Sequence, residues 1–272
     1  LTASGLEKKL HYYTAPKASI EQIKQVHDSS YIDLLLKKSP LQGLSYLDSD
    51  TAMNSFTLDA ALHAAGAVIY AVDLVMLEKH SSVFCAVRPP GHHAEKKRGM
   101  GFCFFNNIAI AAAYALSHYH LQRIAIIDFD VHHGNGTEDI FADEPKVLLC
   151  SSYQHPFYPY RQVQDSHSHI HNIPLSSGAG NKQFRDAIKK HCLAQLHQFK
   201  PQLIMISAGF DAHEDDEVAD INLHDEDYRW ITQQIKNIAE QYAQGRIVSS
   251  LEGGYNLDAL AHSVQAHIEE LL

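Results

Sequence analysis

The feature of this sequence that most constrains its fold is the alternation of short apolar runs with longer amphipathic stretches. Five short, nearly continuous apolar runs are typical of strands covered on both faces. These predicted strands are Val83–Arg88, Arg123–Phe129, Lys146–Ser151, Gln202–Ser207 and Arg246–Leu251. The predicted helices are Thr57–Leu77, Asn106–His118, Asn181–Phe199, Asp225–Gln241 and Leu257–Leu271. Strands alternating with helices predict an α/β fold, a doubly wound and mostly parallel sheet with helices on both faces.

Length and charge narrow the class of protein. The 272 residues fit one domain over 1–272, because α/β domains often reach ~250 residues. A composition of 45% hydrophobic and 20% charged residues is that of a globular chain. The net charge of −10 argues against direct nucleic-acid binding and is compatible with a cationic substrate.

Cysteine usage and hydropathy bear on location. The four cysteines are scattered without a CxxC pair, which predicts buried thiols in a reducing compartment rather than disulfides or a cysteine metal site. No apolar run reaches the ~18–20 residues of a membrane span, and the first ten residues lack the apolar core of a signal peptide. We therefore expect a soluble, cytoplasmic protein with no membrane partner.

Doubly wound sheets bind ligands beyond the carboxyl ends of their strands. The first predicted strand is followed there by RPPGHHAE, in which two prolines and a glycine fix a rigid turn. His92 and His93 come directly after that turn. Because imidazole titrates near neutral pH, the two histidines are candidates for proton transfer.

A metal site is indicated by DFDVHHGNGT, which follows the second strand. Side chains alternate along a strand, so Asp128, Asp130 and His132 are expected on one side. Carboxylates converging there would repel each other unless a cation lies among them. Asp211, after the fourth strand, completes three ligands whose two oxygens and one nitrogen suit zinc with a position left open for water. His213 is either a fourth ligand or part of a second metal site.

Two further strand ends carry aromatic residues. EGGYNL delivers Tyr255 after the last strand, where its hydroxyl could donate a hydrogen bond to an oxyanion opposite a metal. SSYQHPFYPY follows the third strand. Phe157 and Tyr158, with Phe102 from the first loop, predict an aromatic-walled slot. Ordinary core packing is the alternative, against which the flanking prolines favour a loop.

Together these segments resemble one family, the zinc-dependent histone deacetylases and acetylpolyamine amidohydrolases. The matching segments are RPPGHHAE with GFCFFNN, DFDVHHGNGTEDIF, SAGFDAH and LEGGYN, in the family's order from Arg88 to Asn256. The residues of these segments are most similar to those of the class II-like branch, which includes bacterial members. The resemblance implies an arginase/deacetylase-like fold and hydrolysis of N6-acetyl-lysine in proteins, with acetylpolyamines or longer acyl groups as alternative substrates.

The resemblance also implies roles for particular residues. The zinc ligands it implies are Asp130, His132 and Asp211. The implied catalytic residues are the base His93, the charge-stabilising His92, and Tyr255, Asp128 and Asn135. The implied substrate-binding residues are Gly101, Phe102, Tyr158, Gly253 and Gly254. The family binds potassium beside the zinc, and the matching residues are Asp128, Asp130, His132, Ser151 and Ser152, with a second site at Phe141 and Val147.

The chain departs from the family's pattern at three places. It starts later than family members do, so we expect the N-terminal segment to be missing or the first loop to be unusual. The family's Gly-Asp-Pro after Asp211 is replaced by 213–217, HEDDE. Polyamine-specific relatives place a glutamate near this loop; Val218 occupies that place here, and Glu217 lies one residue before it.

Two other functions compete with this one. A two-manganese ureohydrolase of related architecture would use Asp128, Asp130, His132, Asp211 and His213, but would not need the histidine pair or the Gly-Gly-Tyr turn. An inactive module that binds acetylated chains is disfavoured, because every residue that the mechanism needs is present.

Overall fold

The computed structural model describes residues 1–161 and 167–272. The strands are β1 (Ser45–Tyr46), β2 (Ala52–Met53), β3 (Ser82–Cys85), β4 (Ile124–Asp128), β5 (Val147–Gln154), β6 (Ile170–Leu175), β7 (Leu203–Ala208) and β8 (Ile247–Leu251). The α-helices are α1 (Ile20–Ile23), α2 (Ser29–Lys38), α3 (Thr57–Met76), α4 (Asn107–His118), α5 (Asn135–Phe141), α6 (Asn181–Ile188), α7 (Ala194–Phe199), α8 (Asp225–Tyr242) and α9 (Leu257–Leu271). A 3-10 helix covers Leu6–Lys9, and a π-helical turn at Lys189–Leu193 joins α6 to α7.

Six strands form a parallel sheet in the order β3-β8-β7-β4-β5-β6, and β1 pairs with β2 in a separate antiparallel hairpin. From β4 the chain adds β5 and β6 on one side, and then returns to add β7 and β8 on the other. The direction of winding therefore reverses between β4 and β7. In open α/β sheets this reversal opens a crevice at the carboxyl ends of the strands, where ligands bind.

Hydrophobic clusters cover both faces of the sheet. Along β4, Ile124 and Ile126 point into a cluster with α3 and α4, whereas Ala125 and Ile127 point into a cluster with α6 and α8. This alternation follows from strand geometry, since successive side chains lie on opposite faces. The predicted doubly wound α/β fold is confirmed.

Helix α3 differs from the expectation that no apolar segment is long enough to span a membrane. Its 20 residues, with an 18-residue window of mean hydropathy 1.5, would suffice by length and composition to span a membrane. However, 56% of its apolar window is buried inside the protein, and Ala61, Val68 and Val72 pack in the same cluster as α4. The helix thus has the burial of a core helix.

Some predicted elements were wrong in extent. The predicted strand over 83–88 ends at Cys85, because the amide of Val87 turns back to donate to Cys85 O at 3.0 Å before the two prolines. The helix predicted over 181–199 is interrupted by the π-helical turn. Strand β6 was missed because its short sequence, IHNIPL, is interrupted by two polar residues and contains Pro174, which an edge strand tolerates.

Candidate metal and catalytic site

The residues after β4 and β7 meet at the point where the winding reverses. Asp128, the last residue of β4, is aligned with Ser207 near the end of β7. The turns that follow place Asp130, His132 and Asp211 together, with ligand atoms within 4.8 Å of one another. His132 Nδ1 lies 3.0 Å from Asp130 Oδ1 and 3.2 Å from Asp211 Oδ2. The convergence arises from these turns rather than from alternation along a strand.

One buried oxygen of this triad lacks a well-formed hydrogen bond. Asp130 Oδ2 accepts from the amide of Gly253 at 2.7 Å, and Asp211 Oδ1 accepts from that of Val131 at 2.9 Å. Asp211 Oδ2 is buried, and apart from the ring of His132 at 3.2 Å no donor in residues 1–161 or 167–272 faces it. A buried carboxylate oxygen is costly unless a donor or a cation faces it. Two carboxylates and one imidazole fit a zinc ion with an open position.

The pKa shifts in the triad also show that its carboxylates favour a positive charge beside them. Burial and the neighbouring Asp130 carboxylate raise the pKa of Asp211. Burial alone would lower the pKa of His132, but the adjacent carboxylates of Asp130 and Asp211 outweigh burial and raise the pKa to about 10. Both shifts reflect two carboxylates held close together in a buried place.

The histidine pair lies beside the triad, with ring centroids 4.0 Å apart. Burial opposes the charged form of His92, but the carboxylates of Asp130 and Asp128 raise its pKa well above the usual value; Asp128 Oδ2 lies 3.0 Å from His92 Nδ1. Burial and the charge of His92 lower the pKa of His93 well below the usual value. His93 Nδ1 lies 2.7 Å from Asn135 Oδ1. The pair therefore combines a ring that favours the cationic form with one that favours the neutral form, an arrangement in which one ring can carry charge and the other can accept a proton.

A clamp that sequence reasoning missed holds this pair against the turn after β8. The Oε2 atom of Glu252 accepts from the amides of Gly91 at 2.6 Å and His92 at 3.1 Å. In return, the Arg88 guanidinium donates to the carbonyls of Glu252 at 2.6 Å and Gly254 at 3.2 Å. The signal that could have revealed the clamp is a glutamate directly after an apolar strand.

A pocket of about 260 Å³ opens over the triad. Its lining includes Gly101, Phe102 and Tyr158, and Tyr255 and Gly253 close the opposite side. Phe102 is 45% exposed, and its ring centroid lies 6.2 Å from that of Tyr255. The predicted aromatic slot is thus formed by Phe102 and Tyr158.

Phe157, also predicted for the slot, is not among the residues that line the pocket. Its ring stacks on His132 with the centroids 5.3 Å apart. It therefore packs behind a residue of the candidate triad rather than forming a wall.

The rim of the pocket answers two questions that the sequence left open. Val218 lines the mouth, whereas the exposed Glu217 does not. His213 lies outside the triad, with its Nε2 3.6 Å from Asp225 Oδ1. Among residues 1–161 and 167–272, the triad is the one group of three or more possible metal ligands.

Asp50, from the β1–β2 hairpin, also lines the mouth of the pocket. Sequence reasoning missed it because so short a hairpin leaves no periodic signal.

The remaining site residues lie below and beside the pocket. Ser151 Oγ accepts from Gly134 N at 3.4 Å, and Ser152 Oγ donates to Asp128 O at 3.5 Å, both buried under the end of β4. Gly101 has a φ of 55°, and a Cβ there would lie 2.4 Å from the ring of His93. Gly254, with a φ of 132°, directs the chain into Tyr255.

Comparisons with known proteins agree with this geometry. A family model described as the histone deacetylase domain matches residues 1–271. An uncharacterised protein of Synechocystis sp. is 42% identical over 253 residues, covering 92% of this chain and 81% of that protein. The histone deacetylase-like amidohydrolase of Pseudomonas aeruginosa is 36% identical over 278 residues, covering 100% of this chain and 73% of that protein. The crystal structure of the HDA15 HD domain matches with a TM-score of 0.93 and 33% identity, covering 99% of this chain and 77% of that one. The chain belongs to the histone deacetylase family, whose members are zinc-dependent hydrolases acting on amides.

Proposed function

We propose that this protein removes the acetyl group from N6-acetyl-lysine side chains of proteins. The observation that carries the proposal is the form of the pocket over the triad. Phe102 and Tyr158 line it and the apolar Val218 lies at its mouth, so it suits the uncharged methylene stem of an acylated lysine.

The triad Asp130, His132 and Asp211 would hold the zinc ion, which when bound polarises the acetyl carbonyl and lowers the pKa of a water molecule. His93 is the base, since burial keeps it neutral and its Nδ1 is engaged by Asn135. Its Nε2 takes the proton of the attacking water and later gives it to the leaving amine. Such acid–base help is worth roughly 10²–10⁴ in rate.

His92 and Tyr255 stabilise negative charge on the reacting carbonyl. His92 stays protonated because Asp128 and Asp130 outweigh its burial. Burial and the carboxylates of Asp211 and Asp130 raise the pKa of the Tyr255 phenol. The phenol is therefore a hydrogen-bond donor at neutral pH, suited to the oxyanion.

A potassium ion below the zinc site is part of the proposal. Asp128, Asp130, His132, Ser151 and Ser152 would supply its oxygens, partly through backbone carbonyls, and a second ion would bind near Phe141 and Val147. Support comes from the buried carboxylates of Asp128 and Asp130, whose mutual repulsion a cation would reduce.

A small acetylated polyamine is the second candidate substrate, and Asp50 at the mouth favours it, because such a substrate carries ammonium groups. The zinc-loaded protein should be assayed on acetyl-lysine peptides, longer acyl-lysine peptides and acetylspermidine, with and without a chelator. We expect the highest kcat/KM on the acetyl-lysine peptide and no turnover after chelation. A higher kcat/KM on acetylspermidine would replace the protein substrate with the polyamine.

The proposed location is the cytoplasm. All four cysteines are free and buried, which supports a reducing compartment.

A further inference from the structure

The side-chain amide of Asn135, the partner of His93, is surrounded unevenly. Its Nδ2 donates to Glu95 Oε1 at 2.7 Å, to the carbonyl of His93 at 3.3 Å and to the sulfur of Met100 at 3.5 Å. All three partners are acceptors. Its Oδ1 faces His93 Nδ1 at 2.7 Å.

The reverse orientation of the same amide is excluded by these neighbours. The two ends of an asparagine amide are nearly equal in size, so hydrogen-bond partners alone decide which way it points. Turned over, Oδ1 would face the Glu95 carboxylate, so that two acceptors would meet and the hydrogen bond that Nδ2 donates to Glu95 would be lost. Of these three partners of Nδ2, Glu95 makes the shortest contact and is the charged one, and charge-assisted hydrogen bonds are the stronger ones.

Glu95 is itself held in place. Its amide donates to Arg98 O at 2.8 Å, and its carboxylate forms an ion pair with Arg161. The Glu95 side chain is 13% exposed and that of Arg161 is 43% exposed. A chain of contacts therefore runs from the surface through Glu95 and Asn135 to His93.

We infer that Glu95 is a positioning residue that selects the tautomer of His93. With Oδ1 facing the ring, Nδ1 must carry the hydrogen and Nε2 keeps its lone pair. A group behind a histidine base commonly fixes its tautomer in this way. The inference rests on the proposed function in one respect, that His93 Nε2 is the base.

The tautomer can be measured without turnover. Long-range ¹H–¹⁵N spectra of the zinc-free and zinc-loaded protein, with His93 assigned from a His93→Gln variant, should show a protonated Nδ1. In Glu95→Ala the signal should move towards the other tautomer in both forms. An unchanged His93 pattern in Glu95→Ala overturns the inference, whatever the substrate proves to be.

Kinetics give a second test. Glu95→Ala should lower kcat by about 10- to 100-fold, within the range of general acid–base catalysis, with KM changed less than about threefold. Glu95→Gln keeps an acceptor oxygen and should recover most of that loss. Asn135→Asp should lower kcat in the parent, because the new carboxylate would meet that of Glu95. In the Glu95→Ala background the same change should raise kcat, because a carboxylate accepts from His93 Nδ1 in either orientation.

Melting temperature and zinc content separate this role from a structural one. Both should match the parent in Glu95→Ala. If zinc and folding are intact and Asn135→Asp brings no recovery in the Glu95→Ala background, Glu95 does not act through the amide. If the parent hydrolyses none of the acylated substrates while the His93 spectra change as expected, the proposed function fails and the positioning role stands.

Discussion

The amide of Gly253 donates to Asp130 Oδ2 at 2.7 Å, so the chain leaving β8 closes directly over a carboxylate from the turn after β4. The approach is close enough that a Cβ on Gly253 would lie 2.0 Å from Asp211 Oδ2 and 2.5 Å from Asp130 Oδ2. The turn before Tyr255 and the candidate metal triad are thus built as one unit.

Gly253→Ala should therefore weaken the binding of zinc. The added methyl must push apart two carboxylates whose positions define the ligand set. We expect at least a tenfold weaker zinc affinity, measured by competition with a chromogenic chelator. Gly180→Ala is the matched control, since a Cβ there meets only Asn222 O at 3.5 Å. Parent-like zinc affinity in Gly253→Ala would show that the carboxylates do not form the metal site.

The triad and the histidine pair could be predicted because each follows an apolar strand, and parallel strands end at one edge of the sheet. The contacts that orient these residues could not. These contacts are hydrogen bonds to partners more than 35 residues away in the chain, made by Glu95, Glu252 and Arg88. A local periodic pattern carries no information about contacts over such separations. The π-helical turn at Lys189–Leu193 was missed for a related reason, because its residues continue the helical pattern.

Tyr255→Phe should keep the fold and the zinc and lose most turnover. Removal of one donor to an oxyanion costs roughly 10²–10³ in kcat, and Tyr255 lines the pocket beside the triad. Steady-state kinetics on an acetyl-lysine peptide and zinc analysis measure the two effects. The control is Tyr12→Phe, a change at an exposed tyrosine outside this pocket. Turnover within threefold of the parent in Tyr255→Phe would remove Tyr255 from the mechanism.

Val218→Glu should shift the preference towards acetylpolyamines. Val218 lines the mouth of the pocket, and a carboxylate there would attract the free ammonium groups of a polyamine. One close charge pair near a protein surface is worth about 1 kcal/mol, so the ratio of kcat/KM for acetylspermidine to that for an acetyl-lysine peptide should rise about fivefold. Glu217→Gln, outside the pocket, should change this ratio less than twofold. An unchanged ratio in Val218→Glu would mean that substrates enter by another side.

Acidification below about pH 6.5 should lower the free energy of unfolding, because His27 is buried as a neutral ring. His27 links the backbone at Glu95 to the start of α4. Its Nδ1 donates to Glu95 O at 2.9 Å, and its Nε2 accepts from Asn106 N at 2.9 Å. Burial lowers the pKa of His27 to about 4, while the unfolded chain keeps the usual value of about 6.5. The unfolded state therefore binds more protons between pH 6.5 and pH 4, and the free energy of unfolding declines as the pH falls through that window.

The contribution of His27 follows from comparing pH profiles of urea unfolding between pH 8 and pH 5.5. The parent should lose about 1 kcal/mol more over this range than His27→Gln, which has no proton to take up. Metal ligands titrate in both proteins, so the difference between the two profiles isolates His27. His262→Gln, at an exposed position on α9, should keep the parent's profile. Parallel profiles for the parent and His27→Gln would show that the unfolded and folded chains bind this proton equally.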